Sequence, residues 1–174
     1  MSSLKTTFAC LPSVSTSFRN VVTSNETLFS TSDYISVHCP RTDETLNMIN
    51  AAAFARMKPT AYFITTARGG IHKEDDLAAA LTAGQLAGAG VDVWWEEPTP
   101  IDHPLLQMEN VIATPHSAGV THEAMENMGV WAAEPWIEIF KGRVPPRIVN
   151  PGAWPTYRER FQARLGFLPD EPAG

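Results

Sequence analysis

The chain is short of charge, nearly free of cysteine, and without a long apolar run. Charged residues make up 18% of 174, with a net charge of −6. That balance disfavours nonspecific attraction to nucleic acid or an anionic membrane, and no basic run argues otherwise. No apolar stretch approaches the roughly 20 residues of a membrane-crossing helix. Cys10 and Cys39 show neither disulfide nor metal spacing, which suits a reducing compartment and predicts a cytoplasmic protein. None of the five histidines, His38, His72, His103, His116 and His122, has zinc spacing, so no metal site is expected. The first 25 residues lack Asp and Glu and carry only Lys5 and Arg19 as charges. They are rich in Ser and Thr, faintly like an organelle transit peptide, but poor in Arg and without helical periodicity. This stretch reads as a disordered or ill-fitting N-terminus, with an organelle address as the weaker alternative.

What is present is enough for one domain with a real core: 44% of the residues are apolar. Asn20 to Ser24 reads as a short strand, and Asn25 as the cap of a turn of helix through Phe29. Tyr34 to His38 is β-branched and aromatic, a strand stopped by Pro40. Ala51 to Met57 reads as a short helix ended by Lys58-Pro59, and Ala61 to Thr65 as the next strand. His72 to Gly84 reads as a helix, with Glu74, Asp75 and Asp76 where its dipole favours them and Gly84 closing it. Ala87 to Trp94 is a small-residue strand whose Gly88, Ala89 and Gly90 suggest close approach of another backbone. Val111 to Ala113 is a last short strand. In Thr121 to Lys141, Ala124, Met128, Trp131 and Ala132 recur at helical spacing, and Pro135 should kink the helix. Trp154, Tyr157, Phe161 and Leu165 share a helical face in the tail. The alternation predicts an α/β fold with a mostly parallel sheet. An Arg, a Glu and a His each follow an apolar run, and such strand ends line the ligand crevice of an open parallel sheet.

A set of motifs in order resembles one family. They are Ser32 to His38 with Pro40, Met57-Lys58-Pro59, Thr66-Ala67-Arg68-Gly69-Gly70, Leu86 to Val93, Glu97-Pro98, Asp102-His103-Pro104-Leu105, and Thr114 to Gly119. Together they look like the D-isomer-specific 2-hydroxyacid dehydrogenases, over roughly residues 30 to 152. The resemblance implies a Rossmann-like, mostly parallel sheet with flanking helices, here the second half of a nucleotide-binding domain plus a C-terminal tail. The expected divisions are a poorly matched, disordered N-terminus at 1–30, a partial NAD(P)-binding domain at 31–142, and a tail at 143–174 that returns to the substrate domain. No Gly-x-Gly-x-x-Gly occurs, and no acidic residue stands where the adenosine ribose would need one, so the pattern predicts a truncated chain.

The resemblance also implies roles. Arg68 would bind the substrate carboxylate, which suits a planar guanidinium that grips bidentately and stays charged. His116 would be the acid/base, since an imidazole titrates near neutrality. Glu97 would orient His116 and hold it charged. Glu96 competes for that role, but the family's Glu directly precedes Pro. Formate dehydrogenases carry Gln there, so Glu97 argues for a 2-hydroxy or 2-keto acid. Asp92 would meet the nicotinamide carboxamide, or simply cap a turn at its strand end. His38, Cys39, Pro40, Thr66, Ala67 and Gly119 would pass beside the cofactor, NAD or NADP, mainly with backbone. Trp94 and Trp95 read as packing, Trp131 and Trp136 as helix core or interface.

The function implied is NAD(P)-dependent oxidoreduction of 2-hydroxy acids: reduction of glyoxylate or hydroxypyruvate, or oxidation of phosphoglycerate. The alternatives are a non-catalytic dinucleotide-binding scaffold of corepressor type, or an inactive remnant. The implied partner is a small acid, with no nucleic acid or membrane, and a homodimer for the full-length family.

Overall fold

The computed structural model describes residues 6–9, by backbone alone, and 24–170. Five strands lie side by side in chain order: β1 (Thr6–Ala9), β2 (Tyr34–Val37), β3 (Tyr62–Thr65), β4 (Gly88–Val91) and β5 (Val111–Ala113). All neighbouring strands run parallel. Their carboxyl ends therefore share one edge, and the segments after β2, β3, β4 and β5 run along it.

Helices α1 (Asn25–Thr31), α2 (Ala51–Phe54) and α3 (Glu74–Thr82) carry the chain between strands. Their apolar residues meet those of the sheet in one core. It includes Leu28 and Phe29 of α1, Phe54 of α2, Leu77 and Leu81 of α3, and Ile35, Phe63 and Val91 of the strands. Phe54 stands edge-on to Phe63, with ring centres 5.4 Å apart. Gly84 has a φ of 67° just beyond α3, the left-handed stop expected of it. The close approach read from Gly88 is there, because a Cβ on it would lie 2.7 Å from the Asn110 carbonyl oxygen.

Several expectations are corrected. The N-terminus was expected to be disordered or ill-fitting. Instead Thr6–Ala9 pairs in register with Tyr34–Val37. Thr-Thr-Phe favours extended backbone, and the ladder satisfies donors and acceptors that β2 would otherwise expose. The short helix after it is capped by Ser24, whose Oγ accepts the Thr27 N–H, and not by Asn25. The strand expected at 20–24 falls outside the described residues except for Ser24, which is not in a strand.

The chain divides into compact units at Met1–Ala118 and Gly119–Gly174, so the long helix belongs to the second unit rather than to a domain ending at 142. That helix, α4 (His122–Phe140), is capped by Thr121 and runs through Pro135. Proline cannot donate to the carbonyl four residues back. Arg147 Nη2 supplies a donor to the Trp131 carbonyl at 3.3 Å, and pairs with Glu134 at 2.7 Å. None of the residues of α4 is buried, so Trp131 and Trp136 are not core. The shared face of α5 (Trp154–Leu165) is largely covered within its own unit. Trp154 and Phe161 are buried, and Phe167 packs edge-on against Phe161. Only Leu165 of that face is exposed.

Candidate active site

The loop after β3 begins at Thr66 and carries Arg68; the loop after β4 carries Glu97; the loop after β5 carries His116. Three segments distant in sequence thus come together at the carboxyl edge of the sheet. They approach closely because Gly69 has no side chain. A Cβ there would lie 1.7 Å from the Trp94 carbonyl oxygen, so only glycine lets the Arg68 loop rest on the Trp94–Trp95 peptide. In the sequence Gly69 is one residue of the Thr66–Gly70 motif; in the fold it lets two backbones touch.

His116 has φ 53°, a left-handed conformation uncommon outside glycine. Asp92, buried at the end of β4, holds it there. The Asp92 carbonyl accepts the His116 N–H at 2.7 Å. Its carboxylate accepts the Thr114 hydroxyl at 2.5 Å, the Ser117 N–H at 2.8 Å and the Ala118 N–H at 3.0 Å. Burial raises the Asp92 carboxyl, but these three donors outweigh it and hold the group below its ordinary value. A carboxylate has roughly four acceptor positions, and three are used. Of the two readings open for Asp92, the geometry supports the turn-holding one.

His116 Nδ1 lies 2.9 Å from Glu97 Oε2 and 3.1 Å from Oε1. Glu97 Oε1 also accepts the Trp94 N–H at 3.1 Å. Bonding to His116 holds the Glu97 carboxyl below the usual carboxylate range, helped by the Trp94 N–H and the positive charge of Arg68. An ionised carboxylate only accepts, so Nδ1 carries a proton, and Nε2 is the ring nitrogen left to gain or lose one. Glu97, not Glu96, is the carboxylate that faces the imidazole.

Arg68 is exposed, and its one hydrogen bond among the described residues runs from Nη1 to the Ala67 carbonyl. Most of its five donors therefore stay available for an anion. Beneath the dyad lies a cleft of about 340 Å³ with apolar walls from Trp94, Pro98, Leu106 and Ala113, and with Glu97 and His116 at its lining. That volume is within the range of small-ligand sites.

Of the other residues singled out, His38, Cys39 and Pro40 follow β2, and Thr66 and Ala67 follow β3, all on the same edge. His38 bonds Ser36 Oγ at 2.7 Å. Burial pushes the Cys39 thiol up, so its thiolate is disfavoured. Gly119 opens the second unit and is not among the residues that the first unit gathers. Trp94 is buried and donates Nε1–H to the Thr114 carbonyl, as packing would have it. Trp95 is 61% exposed. Sequence reasoning missed the pair Glu74–His103 behind this loop, and no local pattern could have joined two residues so far apart.

The D-isomer specific 2-hydroxyacid dehydrogenase NAD-binding domain family matches residues 11–118. The match takes in residues before 30 that the motifs leave out, and stops well before 152. Glyoxylate reductase of Thermofilum pendens is 44% identical over 125 residues, 72% of this chain and 37% of that protein. Glyoxylate/hydroxypyruvate reductase B of Cronobacter sakazakii is 44% identical over 74% of this chain and 40% of its own length. The chain thus spans about two-fifths of the curated relatives it matches. Among solved structures, the NAD-complexed D-isomer specific 2-hydroxyacid dehydrogenase of Lactobacillus delbrueckii ssp. bulgaricus superposes with a TM-score of 0.68 at 34% identity, covering 73% of this chain and 43% of that one. NAD-dependent formate dehydrogenase of Staphylococcus aureus, in complex with NAD, gives 0.63 at 36% identity over 68% and 36%.

Proposed function

The chain belongs to the D-isomer specific 2-hydroxyacid dehydrogenase family, and we propose that its site serves NAD(P)-dependent oxidoreduction of small 2-hydroxy and 2-keto acids, such as glyoxylate or hydroxypyruvate. The observation that carries this reading is the Glu97–His116 pair on the same sheet edge as Arg68. Arg68 grips the substrate carboxylate with donors that nothing else uses. In reduction, His116 Nε2 gives its proton to the substrate oxygen, and in oxidation it takes that proton back. Glu97 keeps Nδ1–H in place and offsets the charge on the ring in the protonated state. A dinucleotide, when bound, would supply or receive the hydride. The residues here fit its nicotinamide end, where His38, Cys39, Pro40, Thr66, Ala67 and Asp92 border the same edge as His116. They do not address its pyrophosphate, because no Gly-x-Gly-x-x-Gly occurs in the 174 residues.

A proton-handling Glu–His pair supports a 2-hydroxy or 2-keto acid over formate, whose oxidation needs no proton transfer at a hydroxyl. The reading includes a cytoplasmic location and a homodimer. Among the described residues, no helix is long and apolar enough to cross a membrane. The test is a chimera in which residues 11–118 replace the matching segment of the Thermofilum pendens glyoxylate reductase. NADH-dependent reduction of glyoxylate or hydroxypyruvate is expected. His116→Ala in the chimera should lower kcat by about a hundredfold or more. A His116→Ala chimera that keeps its parent's kcat would remove His116 from the chemistry.

A further inference from the structure

Behind the site lies a second Glu–His pair. Glu74 opens α3, and its Oε2 is 3.1 Å from His103 Nε2. The two side chains are only 13% and 16% exposed, against 39% and 38% for Glu97 and His116. The tautomer of His103 follows from its other bond: Nδ1 accepts the Leu105 N–H at 3.3 Å, so Nε2 carries the hydrogen and donates it to Glu74. The remaining oxygen, Glu74 Oε1, accepts the backbone N–H of Trp95 at 2.6 Å. One residue earlier, the Trp94 N–H bonds Glu97, and the Trp94 ring meets the His103 ring edge-on at 5.3 Å. The backbone between β4 and Glu97 is therefore gripped on one side by Glu97 and on the other by Glu74. Neither Glu74 nor His103 is among the residues lining the cleft.

We propose that Glu74 and His103 are positioning residues, which fix the Trp94–Glu97 loop through the Trp95 N–H and so hold Glu97 against His116. This rests on the reading of Glu97–His116 as the proton-handling pair. The hydrogen-bond pattern makes Glu74 hard to replace. A glutamine keeps an acceptor for Trp95 but turns an N–H group toward the N–H of His103. If the imidazole changes tautomer to accept it, Nδ1–H then faces the Leu105 N–H. Either way one bond is lost and a donor is left unpaired. At His103, glutamine offers a donor to Glu74 and an acceptor for Leu105, whereas leucine fills the space and offers neither.

The test follows the Glu97 carboxyl by 13C NMR titration of the 174-residue chain, and the exchange rate of the Trp95 amide hydrogen. Glu74→Gln and His103→Leu should each raise the Glu97 midpoint by about 0.5 or more and speed Trp95 exchange by about tenfold. His103→Gln should stay close to the parent in both. If Glu74→Gln does not fold, His103→Leu, which leaves Glu74 in place, decides alone. A pair that matters only for stability would lower the urea midpoint and leave the Glu97 titration unmoved, and that result overturns the proposal. His116→Gln separates this failure from the larger one. Should it raise the Glu97 midpoint while Glu74→Gln and His103→Leu do not, the dyad stands and the positioning role falls. Should His116→Gln itself leave Glu97 unmoved, the dyad falls, and the positioning role with it.

Discussion

In the unit that ends at Ala118, Ile35, Phe63, Ile71, Leu77 and Val91 are at most 1% exposed. In α4 of the other unit no residue is buried, and Trp131, Trp136 and Phe140 are 55%, 61% and 69% exposed. Both regions carry apolar residues at spacings that put them on one face. The difference is that strands and helices of the first unit return to one another through parallel crossovers, so the sheet residues that meet α1, α2 and α3 are covered, while Tyr62 and Ile112 stay exposed. The second unit closes α5 with its own rings and buries no residue of α4. Periodicity says which residues share a face; it does not say that anything covers it.

The largest break in this comparison is expected at glycine. Gly69→Ala puts a methyl group into the Trp94 carbonyl, and overlap with backbone cannot be relieved by a rotamer. It should destabilise the first unit by about 3 kcal/mol or more, at the strong end for overpacking, and should part the Arg68 loop from the Glu97 loop. Urea unfolding followed by circular dichroism measures the first effect. A loss under about 1 kcal/mol would mean that the two loops do not touch as described.

Close behind comes acid. His72 is 2% exposed, and neither ring nitrogen has a hydrogen-bond partner among the described residues. Burial, with a smaller push from His103, lowers its pKa from 6.5 to about 4. The unfolded chain therefore takes up a proton more readily than the folded one. The stability at stake is present above pH about 6.5 and is lost as pH falls toward about 4, to the extent of about 3 kcal/mol. His72→Leu should flatten the urea midpoint against pH across that window. An unchanged slope would assign the acid lability to other groups.

The exposed face of α4 supplies the third test. Trp136 and Phe140 stack with ring centres 6.2 Å apart and open to water. The chain should self-associate through this face. Trp136→Ser with Phe140→Ser should weaken association by about tenfold, roughly 1.4 kcal/mol of apolar burial. Sedimentation equilibrium reads it, and equal association constants in parent and variant would clear α4 of the contact.

The smallest effect has the opposite sign. Gly129 lies within α4, and a Cβ there meets nothing within 4 Å. Gly129→Ala should stabilise by up to about 1 kcal/mol through helix propensity. A destabilised variant would show that something does pack on α4 at this point. Alanine is therefore expected to harm the chain at Gly69 and help it at Gly129, because one glycine is wedged against backbone and the other faces solvent.

Much of the first unit was legible in the chain. Tyr34 to His38, Ala61 to Thr65, Ala87 to Trp94 and Val111 to Ala113 each contain a strand of the sheet. Arg68, Glu97 and His116 stand just past three of those strands, and an open parallel sheet gathers such ends on one edge. The choice of Glu97 over Glu96 came from the resemblance, whose Glu directly precedes Pro, and in the structure the Glu97 carboxylate lies on His116. What was not legible lay in contacts between distant segments. Asp92 reads as a cofactor contact or a turn cap, and its three donors come from segments that only the fold brings to it.

The sequence by itself determined the alternation of strands and helices, the parallel sheet they imply, and the Arg, Glu and His that follow its strands. Those properties come from short-range terms: backbone propensity, the period of apolar residues, and the effect of Gly and Pro on local φ. Only the tertiary structure decided that Thr6–Ala9 would close the edge of β2, that Gly69 would lie under the Trp94 peptide, and that Glu74 and His103, 29 positions apart, would bond behind the site. It also left α4 without a buried residue, so that of the two readings of Trp131 and Trp136, core or interface, the core one falls. Each of these depends on where the chain comes back to after a crossover, and on the exchange of solvent for a particular partner when it arrives there.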